Sequence, residues 1–377
     1  MPNPKKIIID DAIPYAQAMF SNLGDIQLMP GRDINAQSVK QADALIVRSR
    51  TQVNETLLKN SPVSFVGSTV VGLDHIDQLY LKNNGIEFYS AQGCNANSVA
   101  EYIITSLLDV AEHKDFELKN KTLGIIGVGH VGSLVHRKAQ ALGMRCLLND
   151  PPKVRQNPEL ADHYVDLESC LKADIITVHT PLTDSGEDPT HHLISAKKLA
   201  KIQPNQIMIN AARGGIIDEQ AWAQTTTLAN IIDCWENEPN IDSALYQAAY
   251  LATPHIAGHS LDAKIAGGEM VYQQLCKFWN IEPDDSWKTQ LPPEPNVLHI
   301  QYKESLLSTL YQTLRLTYDP RQDDQAIRNT DMAKLHQQYE FYRRNYPIHR
   351  EWKHHHFEKT GDQNVDKLLI SLDFKML

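Results

Sequence analysis

Residues 127–132 read GVGHVG, three glycines in GxGxxG spacing between the strand-like LGIIG and the helical SLVHRKAQALG. A turn of this kind has to join a strand to a helix inside a βαβ unit, and that constrains the fold more than any other feature of the chain. Gly127 permits the tight turn, Gly129 lets backbone approach a pyrophosphate, and Gly132 permits close helix packing; His130 and Val131 lie between them at the helix start, where partial positive charge favours an anion. Asp150 follows at about the fingerprint distance of twenty residues, after MRCLLN. Its carboxylate can accept from both ribose hydroxyls and would repel a 2′-phosphate, so NAD is expected over NADP. Lys153 and Arg155 in the adjacent PPKVRQ are the residues that could let NADP in.

The rest of the chain fits that architecture. KKIIIDD, ADALIVRSR, VSFVGST and IEFYSAQG read as short apolar strands separated by helical or turn-rich stretches, which implies a parallel sheet. A second block, TLGIIGVG, MRCLLND, ADIITVHTP, QIMINAARG, LANIIDCWE and YLATPHIAG, repeats the pattern. Between the blocks, SVAEYIITSLLDVAEHKDF has helical spacing and opens on Ser98 with Glu101 three residues on, a capping-box pattern expected to start a helix joining two domains. NIEPDDSWKTQLPPEPN reads as a linker, and the tail beyond it holds a strand-like VLHIQY and helical ESLLSTLYQTLRL and MAKLHQQYEFYRRNY.

At 377 residues the chain suffices for two or three domains with their own cores. Its net charge of −10 gives no overall basic field for nucleic acid or anionic lipid. The longest apolar stretch, VAEYIITSLLDVA, carries Glu101 and Asp109 and is too short to span a bilayer. MPNPKKIIIDDAIPYAQ meets acids after three isoleucines, too early for a signal-peptide core. The five cysteines, Cys94, Cys146, Cys170, Cys234 and Cys276, are scattered without a CxxC, which favours a reducing cytoplasm. The runs His191–His192 and His354–His356 read as solvated surface, and no metal is called for.

Three later segments carry chemistry. IMINAARGGIID holds Arg213, DCWENEP holds Glu238 and LATPHIAGHS holds His255. An arginine fork can grip a carboxylate and draw charge toward a neighbouring oxygen; an imidazole can carry a hydroxyl proton; a carboxylate can orient and tune that imidazole. Together they suit hydride transfer at C2 of a 2-hydroxy acid, and strand ends are where open parallel sheets bind ligands.

GVGHVG, HTPL, NAARGGIID, DCWENEP and TPHIAG together resemble the D-isomer-specific 2-hydroxyacid dehydrogenases over most of the first 280 residues. The resemblance implies an α/β fold of two Rossmann-like domains, a substrate-binding one at 1–97 completed by 256–283 and an NAD-binding one at 98–255. It gives Arg213, Glu238 and His255 the catalytic roles, and Thr180, Ala211, Ala212, Arg213, Asp233 and Gly258 contacts with the cofactor, Asp233 on its carboxamide side. VRSRTQVNETLL, FVGSTVVGLDHID, GCNANSVAEYI, LLNDPP, TPHIAGHS and RRNYPIHREW resemble one branch of that family, which acts on a small phosphorylated 2-hydroxy acid. For that branch, a smaller α+β C-terminal domain, here 284–377, forms the homodimer. Arg48, Ser49, Val70, Val71, Gly72 and His259 then fall at substrate positions, Val70 where a small or hydroxyl residue is usual and His259 where an aromatic hydroxyl is usual. Arg48 and the tail's Arg343, Arg344 and Arg350 are the cations expected for the phosphate. Phosphoglycerate dehydrogenase, whose regulatory tail has another pattern, and an NAD-sensing module that recruits protein partners are the alternatives.

Overall fold

The apolar runs of the first block become four strands of a parallel sheet, three of them inner and the fourth at an edge. The computed structural model describes residues 4–377, so the first three residues of the N-terminal segment lie outside the described residues. By contacts the chain forms two compact units, Met1–Asn95 with Ser260–Glu294, and Ala96–His259 with Pro295–Leu377. In the first, β1 (Lys6–Asp10), β2 (Asp25–Met29), β3 (Ala44–Val47), β4 (Phe65–Ser68) and β5 (Glu87–Ser90) stand in the order β2-β1-β3-β4-β5, all parallel. β2 was not expected from the sequence: as an edge strand, DIQLM has no buried run to announce it.

The helix Leu261–Trp279 crosses this sheet on small residues. A Cβ at Gly67 would meet Val271 at 2.3 Å, and one at Gly267 would meet the Thr69 carbonyl oxygen at 2.3 Å. The acidic, proline-rich stretch after it is not a bare linker, because Trp287 is buried among Phe20, Tyr272 and Leu275. Burying a tryptophan holds such a segment to its unit more firmly than its polar composition suggests.

The second unit is built on β6 (Thr122–Ile126), β7 (Arg145–Asn149), β8 (Ile175–Val178), β9 (Ile207–Asn210), β10 (Ala229–Ile232) and β11 (Leu251–Ala252), parallel in the order β11-β10-β9-β8-β6-β7. The order reverses at β6, and the Gly-rich turn follows that strand. The helix Ala96–His113 is buried along nearly its whole length. It starts two residues ahead of Ser98, so the capping box is not formed. Ser98 Oγ donates instead to the Ala257 carbonyl (2.9 Å), and Glu101 accepts from the Trp352 backbone N–H (3.0 Å).

The tail packs within this second unit. Helix Leu306–Thr317 lies against Ala96–His113, Pro320–Arg328 against β11, and Gln363–Ser371 against His130–Ala141. VLHIQY is no strand; it gives only a Leu298–Phe357 bridge beside the short parallel pair β12 (His356–Phe357) and β13 (Lys375–Met376). The histidine run is not solvated as expected: His355 is buried, 6.3 Å from the Phe374 ring centre, because Trp352 and Phe357 on either side are core residues. Two buried charges anchor the tail, Asp109 taking Arg321 Nε (2.6 Å) and Lys138 reaching Asp373 (2.6 Å). No helix of the described residues is long and apolar enough to cross a membrane.

Candidate active site

Gly127 adopts φ +87°, and a Cβ there would stand 2.8 Å from the His179 carbonyl carbon, so the tight turn demands glycine. Gly132 is demanded by packing, its Cβ falling 2.1 Å from the Gly127 oxygen. At Gly129 a Cβ would meet nothing within 4 Å, so protein packing leaves that backbone open to a ligand. No side chain caps the helix His130–Ala141 that follows, which carries His130 and Val131 in its first turn. Thr180 Oγ1, whose backbone lines the turn, is buried with no hydrogen-bond partner. An open glycine, an uncapped helix start and an orphaned hydroxyl fit a dinucleotide.

Asp150 accepts from Val128 N–H (2.8 Å) and caps its own helix at Lys153 N–H (3.0 Å), leaving lone pairs for two more donors. Lys153 Nζ is drawn to the Val128 carbonyl (2.7 Å), and Arg155 pairs with Asp188. Both cations that could welcome a 2′-phosphate thus already have partners, Lys153 in the Gly-rich turn itself and Arg155 on Asp188.

The strand ends of β9, β10 and β11 bring the three chemical segments together. Asn210 holds the NAARGG turn by accepting from Ala212 N–H (3.1 Å) and donating to the Arg213 carbonyl (2.8 Å). A Cβ at Gly214 would lie 2.0 Å from the Trp235 carbonyl carbon, which brings this turn hard against DCWENEP. Half-buried Arg213 donates to the Ala212 carbonyl (2.7 Å), and its charge, like those of Glu238 and Arg343, is felt at Cys234.

His255 Nδ1 lies 2.9 Å and 3.1 Å from the two Glu238 oxygens, and Trp235 N–H donates to Glu238 Oε1 (2.8 Å). Burial pushes the Glu238 carboxyl up, but attraction and hydrogen bonding from His255, with Arg343 nearby, outweigh it and bring it down to about 2. With Nδ1 held, Nε2 is the ring nitrogen able to exchange a proton with a substrate. Cys234, Glu238 and His255 offer donor atoms within 4.8 Å of one another, as do His191, His192 and Glu236. Burial raises the Cys234 thiol well above its usual range, which makes it a poor ligand.

Buried Asp233 organises the turn around His255, accepting from Thr253 Oγ1 (2.7 Å), Ile256 N–H (2.8 Å) and Ala257 N–H (3.0 Å). Ala211 and Ala212 directly follow β9, and Gly258 lies in the turn beyond His255. Tyr102 bonds Thr253 (2.8 Å), and the tail adds a cluster the sequence did not reveal. Tyr318, Tyr342 and Tyr346 all donate to Asp323 (2.7, 2.7 and 3.0 Å), while Tyr346 also packs edge-on against His259 (5.7 Å). Arg343, expected among the phosphate cations, stands 3.9 Å from Glu238 of its own chain. Nothing in RRNY marks that role, since the partner is over a hundred residues away.

The first unit carries the remaining candidates at its strand ends. Arg48 follows β3 and donates to the Ala12 carbonyl (3.0 Å); Ser49 beside it is exposed. Val70 and Val71 follow β4 with their carbonyls tied down, by Ser90 Oγ (3.1 Å) and Gln92 Nε2 (2.8 Å), and Gly72 comes next. Lys264, which the sequence did not single out, lies one turn before Gly267 on Leu261–Trp279; burial, then the charge of Arg48, lowers it to about 8.

Residues 106–257 match the D-isomer specific 2-hydroxyacid dehydrogenase, NAD binding domain, and residues 291–370 match a domain of unknown function (DUF3410). The chain is 59% identical to the erythronate-4-phosphate dehydrogenase of Hydrogenovibrio crunogenus over 99% of both chains. It is 49% identical to that of Ruthia magnifica, over 94% of this chain and 97% of the other. Among solved structures, an NAD+-bound 3-phosphoglycerate dehydrogenase of Entamoeba histolytica superposes with a TM-score of 0.61 at 24% identity, covering 74% of this chain and 96% of that one. The likeness to that structure is one of fold.

Proposed function

The chain belongs to the erythronate-4-phosphate dehydrogenases, NAD-dependent oxidoreductases with the D-isomer-specific 2-hydroxyacid dehydrogenase domain, and we propose that it oxidises 4-phospho-D-erythronate at C2. The product is 2-oxo-3-hydroxy-4-phosphobutanoate, and the step serves pyridoxal 5′-phosphate (vitamin B6) biosynthesis. The observation that carries the reading is the His255–Glu238 pair at 2.9 Å, on strand ends shared with Arg213.

NAD, when bound, would supply the hydride acceptor for C2. Gly129, the start of the His130–Ala141 helix and Thr180 would hold its phosphates and neighbouring groups, and Asp150 its ribose hydroxyls. His255 Nε2 takes the C2 hydroxyl proton while Glu238 stabilises the resulting imidazolium. Arg213 grips the carboxylate and favours charge on the C2 oxygen. On the first unit, the N–H groups of Val71 and Gly72 suit a carboxylate and Ser49 a hydroxyl; Val70 lines their loop, and on the second unit His259 takes a further substrate contact. The reading assigns 1–97 with 256–283 to substrate, 98–255 to NAD and 284–377 to a homodimer in the cytoplasm. Most exposed large apolar side chains among the described residues, Leu316, Phe341 and Ile348 among them, lie beyond residue 300, which supports self-association through the tail.

A panel of 2-hydroxy acids compared by kcat/KM tests the substrate. 4-Phospho-D-erythronate should exceed 3-phosphoglycerate and unphosphorylated erythronate, and Arg48→Ala should raise KM at least ~10-fold for the phosphorylated acid alone. Preference for 3-phosphoglycerate would replace the substrate; tight NAD binding without turnover of any acid would favour a sensing module.

A further inference from the structure

The tail reaches the reacting pair through Arg343. Arg343 closes the helix Leu335–Arg344, whose inner face buries Leu335 and Tyr339 in the core that also holds Trp222, Trp235 and Tyr246. From that anchored position its guanidinium lies 6.0 Å from the Tyr339 ring centre and Nη1 comes within 3.9 Å of Glu238 Oε2. That spacing is too long for a hydrogen bond and close enough for a strong field. Arg343 Nε is buried without a hydrogen-bond partner, a costly arrangement that packing alone does not call for.

The surroundings of Glu238 explain what a cation accomplishes there. His255 contacts it from the strand end of β11. Glu219 comes from the helix Glu219–Trp222, Cys234 from its own loop and Tyr339 from the tail helix. Glu236 and Asp242 crowd Glu219, and Asp233 bears on Tyr339 and Cys234; Arg213 joins Arg343 in facing Cys234. Acids dominate this shell. Besides the Trp235 N–H, Arg343 and His255 are the groups that offset the burial of the Glu238 carboxylate, so a second cation lessens the demand that this carboxylate makes on His255.

We infer that Arg343 is a positioning residue for the proposed dehydrogenation: it shares the Glu238 carboxylate with His255 and so limits how strongly that carboxylate favours the protonated ring. The inference rests on the catalytic roles proposed above for Glu238 and His255. It also makes the C-terminal segment part of the chemistry.

Arg343→Gln and Arg343→Met delete the charge, Met keeping an apolar stem against Tyr339, and Arg343→Lys retains it. The rising limb of the kcat/KM profile should move upward by about half to one pH unit in the Gln and Met proteins, and by less than ~0.2 unit in the Lys protein. NMR titration of the His255 ring in the full-length chain should show the same displacement with no substrate present. That second reading separates the two ideas: a displaced ring titration with no turnover of 4-phospho-D-erythronate sinks the substrate and leaves Arg343 in its role. An unmoved titration in both charge-deleted proteins overturns the role. Should those proteins fail to fold, a Lys variant whose midpoint is displaced by half a unit or more overturns it as well.

Discussion

Glu238 and Glu219 show how the same side chain is set to opposite states by its neighbours. His255 and Arg343 outweigh burial at Glu238, whereas Glu219, facing Glu236, Asp242 and Glu238, is carried by burial up to about 8. The depressed Glu238 contributes stability that is present above its ordinary 4.5 and lost as pH falls toward about 2. The raised Glu219 works the other way: its contribution is complete below 4.5 and lost as pH rises through about 8. Glu219→Gln keeps an acceptor for the Glu236 N–H and cannot ionise, so it should remove a stability loss on the order of a few kcal/mol between those limits. Melting temperatures of both proteins at pH 6 and pH 9 check this, and equal losses would refute it. At the neighbouring pair, His255→Ala should retain NAD binding and lose turnover about a hundredfold or more, while Glu238→Gln should lower the midpoint of the kcat/KM profile. Near-wild-type kcat, or an unmoved midpoint, would remove the residue from its role. The segments carrying Arg213, Glu238 and His255 could be read because their motifs are local; the approach of Arg343 to Glu238 and the burial of Lys264 near Arg48 could not, because those neighbours lie on distant segments.

Strands were the most legible elements. Ten of the strands, β1, β3 to β5 and β6 to β11, coincide with runs read from the sequence; the inner ones among them are buried and rich in Ile, Leu and Val, whereas the edge strand β5, EFYS, is partly exposed. The helix Pro320–Arg328 escaped because its inner face is charged: Asp323 is satisfied by phenols, and Asp324 by Arg328 (2.7 Å) and the Ala252 N–H (2.7 Å). Hydrophobic periodicity cannot report a buried face made of partnered acids. In the Gly-rich turn, sequence spacing could not separate glycines required by the protein from the one left for a ligand. Gly129→Ala should therefore melt within ~1 kcal/mol of the parent and bind NAD at least ~10-fold more weakly, by calorimetry. Equal NAD affinity would mean that the backbone at Gly129 does not face the nucleotide.

At the scale of the chain, two parallel sheets and a tail were foreseeable, but not where the tail would lodge. It is held by Asp109, Lys138 and Glu101, the last of which the sequence marked only for a capping box that does not form. The Asp323 cluster gives that lodging an optical signal. Burial holds the Tyr318 and Tyr346 phenols well above the ordinary 10, Tyr342 is raised with them, and buried Tyr102 and Tyr339 are shifted the same way. On alkaline titration, surface phenols should turn to phenolate gradually, producing a smooth rise in absorbance near 295 nm. The five shielded rings should stay dark until the tail lets go, then change colour together in one steep step that coincides with loss of the folded signal in circular dichroism. A gradual curve with no step would mean that alkali reaches those rings while the tail is still seated.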